Sequence, residues 1–106
     1  MNTAAITGIV ATAPRYRMRE VLPTTTFDVS VAFARRTYTF HVRALNDLAK
    51  ETRYLRPGDQ LAINGYLHSE LYDMPDRSVW YRVEIVAYDV EVLSHLPIGD
   101  YDEVML

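Results

Sequence analysis

The sequence predicts an all-β domain, a closed barrel of five strands with one short helix between the third and the fourth strand. Apolar and polar residues alternate along several segments, which is the pattern of strands with one buried face. A helical segment at residues 46–54 is followed by a strand at residues 60–72. Between them lies Pro57-Gly58-Asp59, whose residue types favour a tight turn. The 106 residues leave room for one domain, and the lack of cysteine excludes disulfides and cysteine zinc sites.

The individual strands follow from the alternation. They are expected at residues 4–12, 25–34, 37–45, 60–72 and 79–93. In the third of these strands, Phe40, Val42 and Ala44 should face the core. Because successive side chains of a strand point to opposite faces, His41 and Arg43 should then face away from it.

Two further expectations concern the second strand and the segment before it. Val21 to Thr26 is expected to be a loop, because Pro23 is followed by three threonines. Phe27, Phe33 and Phe40 are expected in the core, where large apolar side chains are normally found.

The segment from Tyr54 to Leu67 has the most informative pattern. Leu61 and Ile63 fall on one strand face, and Gly65 takes an inward position without a side chain, which indicates a bulge or a bend around a closely approaching backbone. A helix that leads through a tight turn into a kinked strand is typical of the joint between strands three and four of an OB fold, a five-stranded Greek-key barrel. The sequence therefore predicts an OB fold.

Charge is distributed unevenly along the chain, although the net charge is only −3. Residues 1–58 hold nine Arg and Lys against four Asp and Glu, whereas residues 59–106 hold two against ten. Such asymmetry suggests one basic and one acidic surface. The alternative is an evenly mixed surface, because the two halves of a closed barrel interleave in space.

The N-terminus has no basic segment of a signal peptide, and no stretch approaches the roughly 18 apolar residues of a membrane span. We therefore expect a cytoplasmic protein without a membrane partner.

Arginines cluster at two places in the basic half. Arg15, Arg17 and Arg19 alternate with Tyr16 and Met18, so that an extended chain would place all three guanidinium groups on one face. This arrangement suits contacts with successive phosphates of a nucleic acid. The alternative is a solvated edge strand that its charges protect from aggregation. A second pair, Arg35-Arg36, lies in the expected connection between the second and the third strand.

Enzymatic chemistry has little support in the sequence. It contains no glycine-rich phosphate loop, no Ser-His-Asp arrangement and no carboxylate pair at a recognisable spacing. His68 and Glu70 share a strand face and Asp73 follows, but two such residues at spacing two are common by chance, so a solvated strand face is the preferred interpretation. We expect no enzyme, no metal site and no cofactor.

Three segments resemble the bacterial single-stranded DNA-binding protein (SSB) family. Tyr54 to Leu67, YLRPGDQLAINGYL, is similar to the family's YLRKGxxVxIxGxL, which enters the fourth strand of the barrel. Val83 to Leu93 is similar to the family's fifth strand, and Asn2 to Gly8 to its first. The resemblance implies an OB fold that binds single-stranded DNA without sequence specificity in replication, recombination or repair.

The resemblance also implies how DNA would be held. Tyr72 falls where the family carries a stacking tryptophan, whereas Thr39 and Leu45 fall where it carries a tryptophan and a phenylalanine. Phosphate neutralisation by arginine should therefore outweigh base stacking. The expected DNA-binding residues are Arg15, Tyr16, Arg17, Arg19, Arg35, Arg36, His41, Arg43, Tyr66, Tyr72 and Trp80.

Partners other than DNA are also implied. The uncharged first strand leaves an edge that proteins normally cover, and the resemblance implies pairing through it into a homo-oligomer, a dimer or a tetramer. After a domain at residues 1–96, residues 97–106 form an acidic tail, similar in kind to the C-terminus by which SSB proteins recruit replication and repair proteins. An ordinary acidic terminus is the alternative interpretation of the tail.

A second hypothesis for the whole chain is a protein-interaction module with weak affinity for single-stranded DNA. The expected fold also resembles the small dimeric primosomal OB protein, which lacks several stacking aromatic residues and works largely through protein contacts. For either function, the resemblance implies a nucleoid-associated protein of the cytoplasm.

Overall fold

The computed structural model of the chain describes residues 1–19 and 21–95, with Arg19 described by its backbone alone. The predicted tail at residues 97–106, with its boundary, therefore lies outside the described residues. The chain forms one helix, α1 (Asn46–Thr52), and six strands. The strands are β1 (Ala4–Val10), β2 (Arg15–Arg19), β3 (Leu22–Phe33), β4 (Arg36–Leu45), β5 (Gln60–Asp73) and β6 (Val79–Ser94).

Five of the six strands close into a barrel, which confirms the predicted fold. They neighbour one another in the order β1-β5-β6-β4-β3, and β3 returns to β1 through Ile9 opposite Ser30 and Val10 opposite Val29. The pairing of β4 with β6 is parallel, and the other pairings of the ring are antiparallel. Strand β2 lies outside the ring, alongside the first part of β3.

The predicted loop at residues 21–26 is wrong, because β3 begins at Leu22. Residues 22–26 pair with β2, from Arg19 opposite Leu22 to Arg15 opposite Thr26. Pro23 precedes Thr24, the first residue of β3 that pairs with β4, so its missing N–H group removes no hydrogen bond to β4. The threonines that follow are β-branched and suit a strand.

The core contains the apolar faces of the ring strands. Its fully buried large side chains include Val10, Val29, Val42, Leu61, Ile63 and Ile85. Phe27 is buried as predicted, but Phe33 is 71% exposed, and its assignment to the core was wrong. Phe33 ends β3 next to the turn at Ala34 and Arg35, where the β3–β4 hairpin has passed beyond the packed interior.

Helix α1 packs against β3. Its Ala49 and Thr52 side chains are buried, and the buried Thr25 hydroxyl donates a hydrogen bond of 2.6 Å to the Ala49 carbonyl oxygen. This contact fixes the helix to the barrel and satisfies a hydroxyl that would otherwise be buried without a partner. Among the described residues, no helix is long and apolar enough to cross a membrane.

Beyond Gly65, β5 and β6 continue as a hairpin, which we call the arm (residues 66–86); at its base, Ile85 and Val86 still pair with β4. The pairing shifts register between Asn64 and Gly65, which confirms the predicted irregularity. A Cβ atom at Gly65 would lie 2.2 Å from the Val86 carbonyl oxygen, so the backbone of β6 approaches Gly65 closely, as predicted. Leu67 and Val83, which continue the core side of their strands, are about half exposed, at 47% and 52%, because the arm leaves the barrel.

Candidate nucleic-acid interface

One continuous surface runs across five neighbouring strands on the side that points away from the core. We call it the outer face. A single row of it can be followed from Arg15 in β2 through Thr26 and Arg43 to Val86 in β6 and Tyr66 in β5, each residue being the register partner of the next. Because side chains two residues apart in a strand share a side, the face extends above and below this row.

Four arginines surround a groove of about 160 Å³ on the outer face. The residues that line this arginine groove are Arg15, Arg17, Thr24, Thr26, Arg43 and Arg82. Arg43 forms an ion pair with Glu84, with 3.2 Å between Nε and Oε1. The other three arginines form no ion pair with any residue that the structure describes. Unneutralised guanidinium groups around one groove attract phosphate, which they can bind through paired hydrogen bonds.

Sequence reasoning did not identify Arg82 as a member of this groove. It belongs to the acidic half of the chain, where Arg77 is the other basic residue. The parallel pairing of β6 with β4 brings it beside Arg43. Its even spacing from Trp80 was a signal that both side chains share a strand face.

His41 lies on the outer face as predicted, beside the arginine groove. Its Nδ1 is 2.6 Å from the Oδ1 atom of Asp28, its register partner in β3. This carboxylate balances the charge of a protonated imidazole. His41 can therefore contribute hydrogen bonds to a ligand, but little net positive charge.

Three exposed aromatic residues stand on the outer face of the arm. Tyr72 and Trp80 are register partners near its tip, and Tyr66 lies nearer the barrel. Tyr66 and Tyr72 are 40% exposed and Trp80 is 63% exposed, so each ring offers a surface for stacking. The Tyr72 hydroxyl donates a hydrogen bond of 2.6 Å to Oε2 of Glu70, which raises the pKa of Tyr72 and holds the ring in one orientation.

Three predicted residues lie away from the outer face. Tyr16 points to the opposite side of β2, where its ring centroid lies 4.9 Å from the guanidinium carbon of Arg53. Arg35 occupies the β3–β4 turn with φ of 64°, and Arg36 pairs with Phe33 on the core side of the hairpin. Unlike these three residues, Arg19 continues the alternate positions of Arg15 and Arg17 along β2.

A small acidic group lies on the outer face of the arm between Tyr66 and the pair Tyr72 and Trp80, and it borders the arginine groove at Arg43 and Arg82. It consists of His68, Glu70 and Glu84, whose ligating atoms lie within 4.8 Å of one another. The pKa of Glu70 is lowered, first by the hydrogen bond from Tyr72 and then by that from His68, so its carboxyl group is ionised at neutral pH. Asp73, which sequence reasoning had considered beside His68, pairs with Val79 on the other side of the arm and takes no part.

Comparisons with known proteins give matches at the level of structure. No protein-family model and no curated protein matches the sequence. The crystal structure of the mitochondrial single-stranded DNA-binding protein Rim1 from S. cerevisiae matches with a TM-score of 0.77 at 14% identity, over 89% of this chain and 96% of that one. The small single-stranded DNA-binding protein of Streptomyces coelicolor matches with a TM-score of 0.71 at 22% identity, over 85% and 92%.

A third solved structure, the single-stranded DNA-binding protein of Thermus aquaticus, matches with a TM-score of 0.76 at 21% identity. The match covers 92% of this chain and 42% of that one. These likenesses establish that the chain has the OB fold.

Proposed function

We propose that this chain binds single-stranded DNA without sequence preference. The observation that carries the proposal is the arrangement of one sheet face, where a groove with four arginines lies beside three exposed aromatic rings. Single strands are bound by just these two elements, a positive groove for the backbone and rings on which bases stack. The solved structures that share the fold are single-stranded DNA-binding proteins, which supports the same ligand.

The two elements have separate tasks. The arginine groove binds the phosphates, and the bases stack on the rings of Tyr66, Tyr72 and Trp80. Stacking tolerates any sequence, because every base has a π face. Binding of this kind serves replication, recombination or repair, in which single strands are exposed, and places the protein with the nucleoid in the cytoplasm.

The stacking task can be tested by titrating a labelled oligothymidine into variants of the arm. Trp80→Ala and Tyr72→Ala should each weaken binding by about 1–3 kcal/mol, the usual contribution of one stacked base. The dependence of log K on log salt should hardly change, since neither variant removes a positive charge. Tyr54→Ala is the matched control, because Tyr54 follows α1 and contacts Arg53 instead of the outer face.

Two results would count against this scheme. Equal losses in Tyr54→Ala and in the arm variants would show that the arm is not the stacking surface. A wild-type protein that fails to bind oligothymidine even at low salt would reject DNA as the ligand and favour the protein-interaction module. That second hypothesis has less support, because three arginines of the groove have no acidic partner among the described residues.

We also infer that the chain self-associates through β1. One edge of β1 pairs with β5 from Ala4 to Ile9, whereas the other edge pairs with β3 only at Ile9 and Val10. Among the residues that the structure describes, residues 4–8 have no strand partner on this second edge, and such an uncharged strand edge is a ready template for another strand. In a symmetric dimer, β1 of a second copy of the chain would pair with this edge.

Light scattering at micromolar concentration should give at least twice the 12.2 kDa mass of one chain. The double change Ala5→Lys and Thr7→Lys places like charges opposite one another in such a pair and should shift the mass towards the monomer. Thr37→Lys, at an exposed position of the β3–β4 hairpin, should leave the mass unchanged. A monomeric wild type would contradict the inference.

A further inference from the structure

We propose that one base of a bound single strand leaves the stack and enters an apolar cleft between the β3–β4 hairpin and the arm. The cleft measures about 370 Å³, and its apolar lining consists of Phe40, Leu67, Val83 and Ile85. The inference rests on the proposed function and deepens it, because it assigns a separate place to one part of the same ligand.

The cleft arises where β4 and β6 separate. Their parallel pairing begins at Val42 opposite Ile85 and continues to Ala44 opposite Ala87. Before Val42, β4 pairs with β3 in the β3–β4 hairpin, and before Ile85, β6 pairs with β5 in the arm. Since the hairpin and the arm are each paired internally, an opening lies between them, and side chains of both line it.

Apolar side chains in the cleft are open to solvent. Leu67 and Val83 are 47% and 52% exposed, and Phe40 is only partly buried against the core. Exposed apolar groups around a concave surface are typical of a ligand-binding site, and such pockets usually measure about 300–1,000 Å³. A cleft at the lower end of this range suits one flat ring system such as a nucleobase, which would cover the exposed apolar surface.

The polar part of the lining favours a base over a phosphate. It consists of Thr39, His41 and Glu84, so no arginine or lysine of the described residues lines the cleft. Glu84 is a carboxylate that is paired with Arg43, and the charge of His41 is balanced by Asp28. A phosphate would therefore meet no excess of positive charge in the cleft. A base is neutral, and its polar edge can form a hydrogen bond with the Thr39 hydroxyl.

The cleft borders the surface that binds the phosphates in the proposed function. On β4, His41 of the cleft lies two residues from Arg43 of the arginine groove, and on β6, Glu84 of the cleft lies two residues from Arg82 of the groove. Two residues of a strand span about 7 Å, so a backbone bound to the groove would pass beside the cleft. The base of one nucleotide can then enter the cleft while its phosphate stays with the arginines.

The cleft and the rings of the arm would hold bases in different ways. Tyr72 and Trp80 each offer one exposed surface for stacking, whereas the cleft has apolar side chains from two elements, Phe40 from the hairpin and Leu67 and Val83 from the arm. A base between them would contact both elements at once. Apolar contact of this kind requires no particular base, which agrees with binding without sequence preference.

Filling of the cleft is tested with a matched pair of substitutions on β5. Leu67→Phe adds bulk to the cleft wall, whereas Leu71→Phe makes the same change four residues further along, on the same side of the arm and outside the cleft. Leu71 is 57% exposed, similar to Leu67. Val83→Phe fills the cleft from β6 and serves as an independent second variant.

Leu67→Phe and Val83→Phe should each weaken binding of oligothymidine at least about fivefold, the lower end of what one stacked base usually contributes. The dependence of log K on log salt should stay the same, since no charge is removed. Leu71→Phe should bind like the wild type. Circular dichroism checks that the substitutions at these half-exposed positions leave the fold intact.

The position of the base is measured by photocrosslinking. Oligothymidine that contains iododeoxyuridine is irradiated in complex with the full chain, and mass spectrometry identifies the aromatic side chains that form adducts. We expect an adduct at Phe40, the aromatic residue of the cleft, besides those at Tyr72 and Trp80. Leu67→Phe should lose the Phe40 adduct and keep the other two, and Leu71→Phe should keep all three.

Three results would overturn the inference. Equal affinity of the wild type and the cleft variants, with adducts only at Tyr72 and Trp80, would reject the cleft and leave the proposed function standing. A wild type that binds no oligothymidine at low salt would reject both. Cleft variants that bind oligothymidine normally but change the mass measured by light scattering would show that a second copy of the chain occupies the cleft instead of a base.

Discussion

The double change Arg15→Ala and Arg17→Ala should weaken binding of oligothymidine at least about tenfold and flatten its salt dependence. Both guanidinium groups line the arginine groove, and neither has an acidic partner among the residues described. A hydrogen bond to a charged group contributes about 1.5–3 kcal/mol, so the removal of one such bond already accounts for a tenfold change. Each phosphate of the single strand that the variant no longer neutralises should lower the slope of log K against log salt by about 0.7.

The matched control is the double change Arg35→Ala and Arg36→Ala. It removes the same charge from the β3–β4 hairpin, where the turn and the core-side position of Arg36 direct the residues away from the groove. We expect a clearly smaller change in slope. Equal flattening by both pairs would show that DNA also follows the hairpin, as the sequence alone suggests. A wild-type affinity that barely responds to salt would overturn the electrostatic mechanism.

The salt dependence of oligothymidine binding can also be measured for Arg82→Ala, which changes a groove residue that only the structure identified. Arg43 is less suitable for this purpose, because its removal would leave the buried Glu84 without its cation.

Gly65→Ala should strongly destabilise the fold. The added Cβ atom would lie 2.2 Å from the carbonyl oxygen of Val86 and 3.0 Å from the Cα atom of Ala87. Both are backbone atoms of β6, so relief requires the two strands to separate at the register shift beside Gly65. Overpacking of a well-packed interior typically costs about 1–3 kcal/mol, and we expect the upper end of this range because backbone must move.

Chemical denaturation followed by circular dichroism measures this destabilisation as a lower midpoint. Ser69→Ala, at an exposed position of the same strand, is the control and should change stability by no more than about 0.5 kcal/mol. An unchanged midpoint for Gly65→Ala would show that the arm can shift against the barrel without loss of pairing. Oligothymidine binding would then be worth measuring in the same variant, since the arm positions Tyr72 and Trp80.

Much of the fold is determined by local features of the sequence. Alternation identified the core side of β4, where Val42 and Ala44 are buried, and the opposite side with His41 and Arg43. The requirement for glycine at position 65 followed from a strand pattern with one missing side chain. The shared face of Arg15 and Arg17 is equally local, because it depends only on the period of two in an extended chain.

The tertiary structure alone decided which strands meet and where each leaves the barrel. The parallel pairing of β4 with β6 brings Arg43 close to residues about 40 positions later in the chain. It thereby adds Arg82 to the arginine groove and Glu84 to the acidic group. The exposure of Phe33 and the strand at residues 22–26 are likewise consequences of how far β3 extends and what pairs with it. Such features depend on contacts between residues distant in the chain, whereas a sequence pattern reports only on neighbours.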